Sequence, residues 1–265
     1  MKNNKLLRNI LFGVLIVILA LLLLLQVGVT ILYLDYFTHS KMMFHIPGLL
    51  DHFVPQGFAY IQDTESFLMS GYMSDDTASR VYVRDGDGKT RFTLLLNADG
   101  TPYMQHAGGI CTNGKYAYLP GDTGVDVFDL DEILAGSEAK LVSTIDLGHR
   151  TDFCSYQNGY LFVGNFYYAD HYDTPAHHHV TTPAGDANTG VITVFKGDDA
   201  ADFGISPEPV AAFSTREKVQ GMCMTDDEQI VLSTSWGLST SVLYCYDLDT
   251  QRKGTMQTNR GEVPL

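Results

Sequence analysis

The chain has 265 residues, 45% of them hydrophobic, which is enough for one folded core and a small additional segment. It carries 17 Lys and Arg against 31 Asp and Glu, a formal net charge of −14. A surface this acidic repels phosphate backbones and excludes nucleic acid as a partner, and four cysteines are too few for a disulfide-built scaffold.

The N-terminal region predicts a basic tail over residues 1–9 and a transmembrane helix over residues 10–34. The second segment is an uncharged apolar run whose helix would measure about 37 Å, more than the roughly 30 Å of a bilayer core. A cleaved signal peptide is the alternative, but such signals have about 7–15 apolar residues and a small-residue cleavage site. The longer run and the lack of an A-x-A site favour an uncleaved anchor.

The charges that flank this helix predict its orientation. Lys2, Lys5 and Arg8 precede the run and Asp35 follows it, so the positive-inside rule places the N-terminus in the cytoplasm. We therefore expect a single-pass protein of the cell membrane whose C-terminal domain is extracytoplasmic. Residues 35–50 would form a stalk or a first strand, and the partners would be the membrane itself, envelope proteins or a small-molecule ligand.

The exported region contains a fourfold repeat. Its units begin with the segments VPQGFA (54–59), HAGGIC (106–111), RTDFCS (150–155) and KVQGMC (218–223). Each start places a small or turn-forming residue before a large apolar residue, and three more apolar runs follow it. Four short strands per unit, joined by turns such as GDGK (86–89) and TNGK (112–115), are typical of propeller blades.

Residues 51–265 are therefore predicted to form an all-β propeller of four-stranded antiparallel blades. The first intervals match the usual blade length of about 40–50 residues, and the third unit carries an insertion over residues 168–188. Helical periodicity is confined to one turn within residues 129–140, and residues 253–259 are the candidate last strand. Four units would either close a small ring or form part of an incomplete five- or six-bladed ring. The final GEVPL resembles an entry into further structure and therefore favours the incomplete ring.

The PQG, HAGG-I and VQGM starts resemble those of exported bacterial β-propellers of the TolB-like, YVTN-like and gluconolactonase-like superfamily, above all membrane-anchored members. The resemblance covers residues 53–258 and implies the propeller fold. In gluconolactonase-like enzymes an acid, an Asn and an Asp from different blades hold a divalent metal in the central channel. The matching starts here offer Gln56, His106, Asp152 and Gln220, without a Glu, so no catalytic residue carries over.

In a propeller, residues just before the innermost strands meet at one mouth of the channel. The candidates for ligand binding at this position are Gln56, His106, His149, Arg150, Asp152 and Gln220. His106 and Asp152 together would supply an acid/base pair or ligands for a divalent cation such as calcium. The alternative is that these side chains only bind neighbouring blades and fill the axis.

The ends of the second strands form another predicted ring, over residues 70–72, 121–122, 165–167 and 235–237. Its aromatic residues Tyr72, Tyr167, Tyr168 and Trp236 are candidates to stack on a ring-bearing ligand. Asn165 of the same ring is a further candidate ligand-binding residue. Packing between blades is the competing interpretation.

Three further features have both a functional and a structural interpretation. The insertion contains His177–His179 and is predicted to form a long polar loop or lid near the channel mouth. A metal site is the alternative, in which at most His177 and His179 of an extended segment would face one ion. The DGDG stretch (85–88) lacks the acid that completes a calcium loop, which predicts a hairpin turn.

Cys111, Cys154 and Cys223 occupy equivalent positions, where we expect compact buried side chains, and their pairing stays open.

Two functions are compatible with these features of the sequence. The first is a ligand- or protein-binding module, favoured by the anchor and the lack of a complete catalytic constellation. The second is a metal-dependent hydrolase of lactones, esters or phosphoesters that uses His106 and Asp152 in the channel. Phosphate-binding loops, dinucleotide motifs and the nucleophile elbow are all missing from the sequence.

Overall fold

A computed structural model describes residues 2–237, 239–247 and 254–265. The chain divides into two units, Met1–His45 and Ile46–Leu265. The first unit is helical and the second consists mainly of β-strands. The prediction of a mostly β fold that follows one N-terminal apolar helix is therefore confirmed.

The first unit contains two helices, α1 (Lys2–Leu32) and α2 (Leu34–His39), which are separated by Tyr33. Residues Lys5–Leu32 of α1 are long and apolar enough to cross a membrane, and none of this stretch is buried. The helix begins and ends slightly earlier than the predicted segment 10–34. Its orientation in a membrane stays a prediction.

The second unit contains four antiparallel meanders in chain order. The first consists of β1 (Phe53–Ile61), β2 (Ser66–Met73), β3 (Arg80–Arg84) and β4 (Thr90–Leu96). The second consists of β5 (Cys111–Thr112), β6 (Tyr116–Pro120), β7 (Gly124–Asp129) and β8 (Glu138–Asp146), with α3 (Leu130–Ala135) before β8. The strands in each meander pair with their neighbours in sequence.

The third meander is interrupted by the insertion, which forms a separate hairpin. Its strands are β9 (Phe153–Gln157), β10 (Tyr160–Gly164), β11 (Val180–Thr181), β12 (Ala187–Asn188), β13 (Gly190–Gly197) and β14 (Ile205–Thr215). Strands β11 and β12 pair only with each other, so the sheet order is β14-β13-β10-β9. The fourth meander consists of β15 (Val219–Met224), β16 (Gln229–Thr234) and β17 (Val242–Asp247).

The first two sheets depart from the prediction of four separate four-stranded blades. Strands β4 and β8 pair in parallel, which joins the first two meanders into one eight-stranded sheet. Its edge strands β1 and β5 approach each other where Gly57 lies against the backbone of Gly109, so this sheet is nearly closed like a barrel.

The chain ends in a further hairpin, β18 (Thr255–Thr258) and β19 (Gly261–Pro264). The prediction that residues 253–259 complete the fourth blade is wrong, because β18 pairs with β19 and not with β17. Met256 and Val263 instead pack against Val191 and Ala212 of the third meander. This packing buries apolar side chains that a fourth strand beside β17 would leave near the surface.

Three clusters of buried apolar side chains lie between successive meanders. Members from the two sides are Leu68 and Leu119 in the first cluster, Val127 and Leu161 in the second, and Ile192 and Leu232 in the third. Full burial of such a side chain contributes about 1.5–3 kcal/mol. The four meanders therefore pack face to face in the order in which they occur in the chain.

The far face of the fourth meander is open. Leu243 of β17 is 68% exposed. Cys223 and Cys245 are exposed as well, and each is paired with Val231 of the strand between them. The sequence predicted that the equivalent cysteines Cys111, Cys154 and Cys223 are all buried. This prediction is wrong for Cys223, whereas Cys111 and Cys154 are buried. The difference arises because Cys111 and Cys154 lie in the cluster between the second and third meanders.

Two local predictions are confirmed. The Asp129 carboxylate accepts hydrogen bonds from the backbone N–H groups of Asp131 and Glu132, which caps α3 within the predicted turn. The DGDG stretch forms the hairpin turn between β3 and β4, where Gly88 has a φ of +82° and its N–H donates to the Asp85 carbonyl.

Candidate functional site

A cavity of about 370 Å³ lies where the four meanders begin. Seven of the nine predicted site residues line it: Gln56, Tyr72, His106, Arg150, Asp152, Gln220 and Trp236. They come from all four meanders or from the segments that enter them. We refer to this space as the axial cavity.

Two of these side chains reach the axial cavity because of matching irregularities in the strands. The pairing of β1 with β2 shifts register between Pro55 and Gly57, and the pairing of β15 with β16 shifts between Val219 and Gly221. Gln56 and Gln220 are therefore the extra residues of two β-bulges, which redirect a side chain away from the regular alternation. The Gln220 amide also donates to the Ser235 carbonyl at 3.2 Å, which fixes its orientation.

The charged part of the wall is an ion pair next to β9. The Nε atom of Arg150 lies 3.0 Å from Oδ1 of Asp152, and the Oδ2 atom accepts a hydrogen bond of 2.7 Å from the Phe166 N–H. Burial raises the pKa of the Asp152 carboxyl, and the Arg150 guanidinium only partly opposes this effect. A partly buried carboxyl with a raised pKa in a cavity marks a candidate functional site.

The aromatic part of the wall surrounds the single tryptophan. The Trp236 ring lies 5.7 Å from Phe166, 4.7 Å from Tyr168 and 5.6 Å from Tyr172 between ring centroids. The Arg150 guanidinium lies 5.1 Å from the centroid of the Tyr172 ring. Because Tyr168 and Tyr172 belong to the start of the insertion, this segment contributes to the wall of the axial cavity.

His106 also has an aromatic neighbour. Its ring lies 4.7 Å from the Tyr72 ring, and both side chains line the cavity. Asp152 uses its two oxygens on Arg150 and Phe166, so its observed partners do not include His106. The predicted acid/base pair thus shares a cavity without a direct hydrogen bond in the described contacts.

His149 and Asn165 lie outside the wall of the axial cavity. His149 is buried with its ring 5.0 Å from that of His178, and burial lowers its pKa. The Asn165 side chain bonds the His178 Nδ1 atom at 2.9 Å, and its oxygen accepts from the Val191 N–H. Both residues therefore tie the insertion to the third meander.

The histidine tract has a different geometry from the extended segment that the sequence suggested. Residues Ala176–His178 form a 3₁₀ turn that begins after Pro175, so successive side chains point in three directions. His178 is fully buried, and burial together with the neighbouring His149 lowers its pKa to about 3. His179 bonds the Thr174 hydroxyl. The extended geometry in which His177 and His179 could have faced one ion is therefore not the one that the insertion adopts.

The expected cation has no complete set of ligands in the part of the chain that the structure describes. Within it, no group of three or more His, Cys, Asp or Glu side chains is arranged to hold a metal ion. His106 and Asp152, the two predicted ligands, both line the axial cavity. The prediction of a divalent cation thus rests on these two residues alone.

Gln105 and Tyr172 are among the residues of the cavity wall that sequence reasoning missed. Gln105 directly precedes the candidate His106, so its position next to a unit start was an available signal. The signal for Tyr172 was the density of aromatic residues at the start of the insertion, YYADHYD (167–173).

Comparison with known proteins gives little further information. No protein-family model and no curated protein sequence matches the chain. Among solved structures, the crystal structure of a glycosyl hydrolase from Bacteroides ovatus is similar with a TM-score of 0.46 and 13% identity. The match covers 77% of this chain and 66% of the glycosyl hydrolase chain, just under two thirds of that protein.

Proposed function

We propose that this protein is a membrane-anchored, extracytoplasmic β-propeller module that binds a ligand in the axial cavity. The observation that carries the proposal is the convergence of Gln56, His106, Asp152 and Gln220, one from each repeat, on one space of about 370 Å³. This volume lies in the range of small-molecule sites, roughly 300–1,000 Å³.

The propeller part of the proposal is supported by the order of packing. Each of the four meanders is antiparallel, and each buries a face against the next one through an apolar cluster. An open arc of four blades fits the exposure of Leu243 on the last meander and of Phe58 on the first. These two side chains line one further space of about 400 Å³.

The ligand class follows from the two kinds of wall. Trp236, Phe166 and Tyr172 offer flat apolar rings, and the amides of Gln56 and Gln220 offer both donors and acceptors. A small polar molecule with a ring, such as a sugar or a cyclic amine, would contact both walls. Binding by a protein loop that carries such a ring is a variant of the same proposal.

The cellular location rests on the helix and its charges. The apolar stretch Lys5–Leu32 suits a membrane span, and basic residues precede it in the sequence. The β-rich unit would then face an envelope compartment. Protease treatment of intact cells and of inverted vesicles tests this orientation, because only exposure of the β-rich unit in intact cells fits the proposal.

A second candidate is hydrolysis in the same cavity, and the raised pKa of Asp152 favours it. A carboxyl that stays protonated to a higher pH than usual can donate a proton to a leaving group. His106 in the same cavity would provide the matching base. The metal-dependent form of this candidate requires ligands beyond His106 and Asp152.

Intrinsic fluorescence provides the test, since Trp236 is the single tryptophan and lines the axial cavity. The purified full chain in detergent is titrated with neutral sugars, amino sugars and cyclic amines. We expect a saturable change in emission for one class and about tenfold weaker binding by Gln220→Ala, because one amide hydrogen bond is lost.

The matched control is Gln62→Ala, which removes an exposed glutamine from a surface turn. Equal weakening by both variants, or no saturable change with any class, would contradict a small-ligand site. Chromatography of the same mixtures detects products. Multiple turnover that Asp152→Asn abolishes would establish the hydrolase, whereas binding without products retains the module.

A further inference from the structure

One pair of cysteines lies at the interface between two meanders. Cys111 is in β5, the first strand of the second meander, and Cys154 is in β9, the first strand of the third. Their Sγ atoms are 3.3 Å apart, and both residues are buried in the cluster between these meanders. This interface lies outside the residues that line the axial cavity.

The backbones around the two sulfurs are in close contact. A side chain added at Gly109, two residues before Cys111, would place its Cβ atom 3.1 Å from the backbone nitrogen of Cys154. Bonded sulfurs are about 2.05 Å apart, so bond formation needs an approach of roughly 1.2 Å. Rotation of two side chains supplies a movement of this size.

The other two cysteines have a different geometry. Cys223 in β15 and Cys245 in β17 both lie opposite Val231 of the strand between them. Two strand spacings separate their backbones by about 9.5 Å. Disulfides require Cα atoms within about 7 Å, so this pair cannot close without movement of the sheet.

We propose that Cys111 and Cys154 form a disulfide bond that covalently joins the second and third meanders. Cys223 and Cys245 stay thiols. This inference does not depend on the ligand of the axial cavity. It resolves a pairing that the sequence leaves open among three possibilities.

The oxidant is a second disulfide, either of a thiol–disulfide oxidoreductase or of a small molecule such as oxidised glutathione. The thiolate of one cysteine attacks it and forms a mixed disulfide, which releases the first thiol. The thiolate of the other cysteine then displaces the second thiol and closes the protein disulfide. Two protein thiols are oxidised and one disulfide is reduced to two thiols.

The bond forms before the two meanders have packed. Burial in the folded protein raises the pKa of the Cys111 thiol well above its ordinary value, so the reactive thiolate is scarce there. In the unfolded chain both thiols are accessible to the oxidant. The disulfide would constrain the unfolded chain between residues 111 and 154, which includes most of the second meander.

The test counts free thiols in the full chain. Protein refolded in detergent with oxidised glutathione is denatured, labelled with N-ethylmaleimide and weighed by mass spectrometry, with and without prior reduction. Without prior reduction, we expect labels on Cys223 and Cys245 alone. After reduction, we expect labels on all four cysteines. Tryptic peptides 92–115 and 151–196 would be linked, and peptide 219–252 would carry both labels.

A matched pair of variants measures the effect on stability. In the Cys223→Ser, Cys245→Ser double variant, we expect reduction to lower the midpoint of thermal unfolding by roughly 5–10 °C, as in the natural sequence. In the Cys111→Ala, Cys154→Ala variant, reduction would leave the midpoint unchanged. Four labels before reduction, or a linked peptide that contains Cys223 or Cys245, would overturn the proposal.

Discussion

Arg150 and Asp152 form an ion pair at the wall of the axial cavity, with the Arg150 Nε atom 3.0 Å from the Asp152 Oδ1 atom. The pair does not offset the burial of the carboxyl, since the pKa of Asp152 is raised and not lowered. Ionised Asp152 is therefore less stable in the folded chain than in the unfolded one. Such a group is kept at a cost to stability, which fits a role in binding or proton transfer.

The first prediction concerns Asp152→Asn. Because the folded pKa exceeds the unfolded one, the contribution of Asp152 to the free energy of unfolding is complete at low pH and decreases as pH rises through the raised pKa. Asn does not titrate, so we expect the stability of the variant relative to the natural chain to increase between pH 4 and pH 7. Urea unfolding, followed by Trp236 emission, measures this difference.

Asp99→Asn is the control for this measurement. Asp99 is exposed, and a hydrogen bond of 2.6 Å from the Thr101 hydroxyl lowers its pKa. The relative stability of this variant is expected to stay nearly constant between pH 4 and pH 7, because the contribution of Asp99 is lost only as pH falls below its unfolded pKa of about 3.8. A decrease in the relative stability of Asp152→Asn with rising pH would contradict the interpretation of the ion pair.

The second prediction concerns a buried carboxylate. The Tyr103 hydroxyl donates to Asp126 Oδ2 at 2.6 Å, and the Thr144 hydroxyl donates to Oδ1 at 2.5 Å. Tyr103→Phe removes one donor and leaves part of the buried carboxylate without a partner, which costs about 2 kcal/mol. Tyr60→Phe, at an exposed position, is expected to change the unfolding free energy by less than about 0.5 kcal/mol. Equal effects in urea unfolding would disprove the proposed contact.

The third prediction concerns acid sensitivity. Burial and the neighbouring His149 lower the pKa of His178 to about 3, so the folded chain excludes a proton that the unfolded chain binds below pH 6.5. The contribution of His178 to stability is complete above pH 6.5 and decreases as pH falls. We expect a loss of about 1.4 kcal/mol per pH unit from this group.

The His178→Gln variant tests this dependence, because it removes the titrating ring. Its unfolding free energy is expected to fall less steeply between pH 6.5 and pH 5 than that of the natural chain. His45→Gln, at an exposed position, serves as the control and keeps the natural slope. The same slope in all three proteins would show that His178 is not buried as described.

The fourth prediction concerns the open face of the last meander. Leu232 of β16 is 4% exposed and packs in the third apolar cluster, whereas Leu243 of β17 is 68% exposed. Leu232→Ala is expected to cost about 2–4 kcal/mol, because it leaves a cavity in the core. Leu243→Lys is expected to change stability by less than about 0.5 kcal/mol. A large loss for Leu243→Lys would indicate that another part of the protein covers this face.

Part of the site was predictable because the repeats encode it locally. The Gln-Gly pairs at 56–57 and 220–221 recur at equivalent places, and each Gln lies at a bulge where the register shifts. The same repeats predict His106 and Asp152 at the unit starts, and both line the cavity. A pattern that repeats along the chain predicts a shared position because equivalent units fold alike.

Other features depend on contacts between distant segments and have no local pattern. The parallel pairing of β4 with β8 joins residues 94–96 to residues 138–140, which are more than 40 positions apart in the chain. The burial of His178 requires the 3₁₀ turn of the insertion to pack against Asn165. The sequence placed His149 at the channel mouth and Asn165 in the ring at the ends of the second strands, whereas in the structure both side chains contact His178 of the insertion.

The convergence of the first and fourth repeats is tested most directly by labels at Gln56 and Gln220. In a chain with Cys223→Ser and Cys245→Ser, the substitutions Gln56→Cys and Gln220→Cys provide two sites for pyrene maleimide. Stacked pyrenes emit as an excimer only when they touch, so we expect excimer emission in the folded chain that disappears in urea. Monomer emission alone from the folded, doubly labelled protein would contradict a shared cavity at the starts of the repeats.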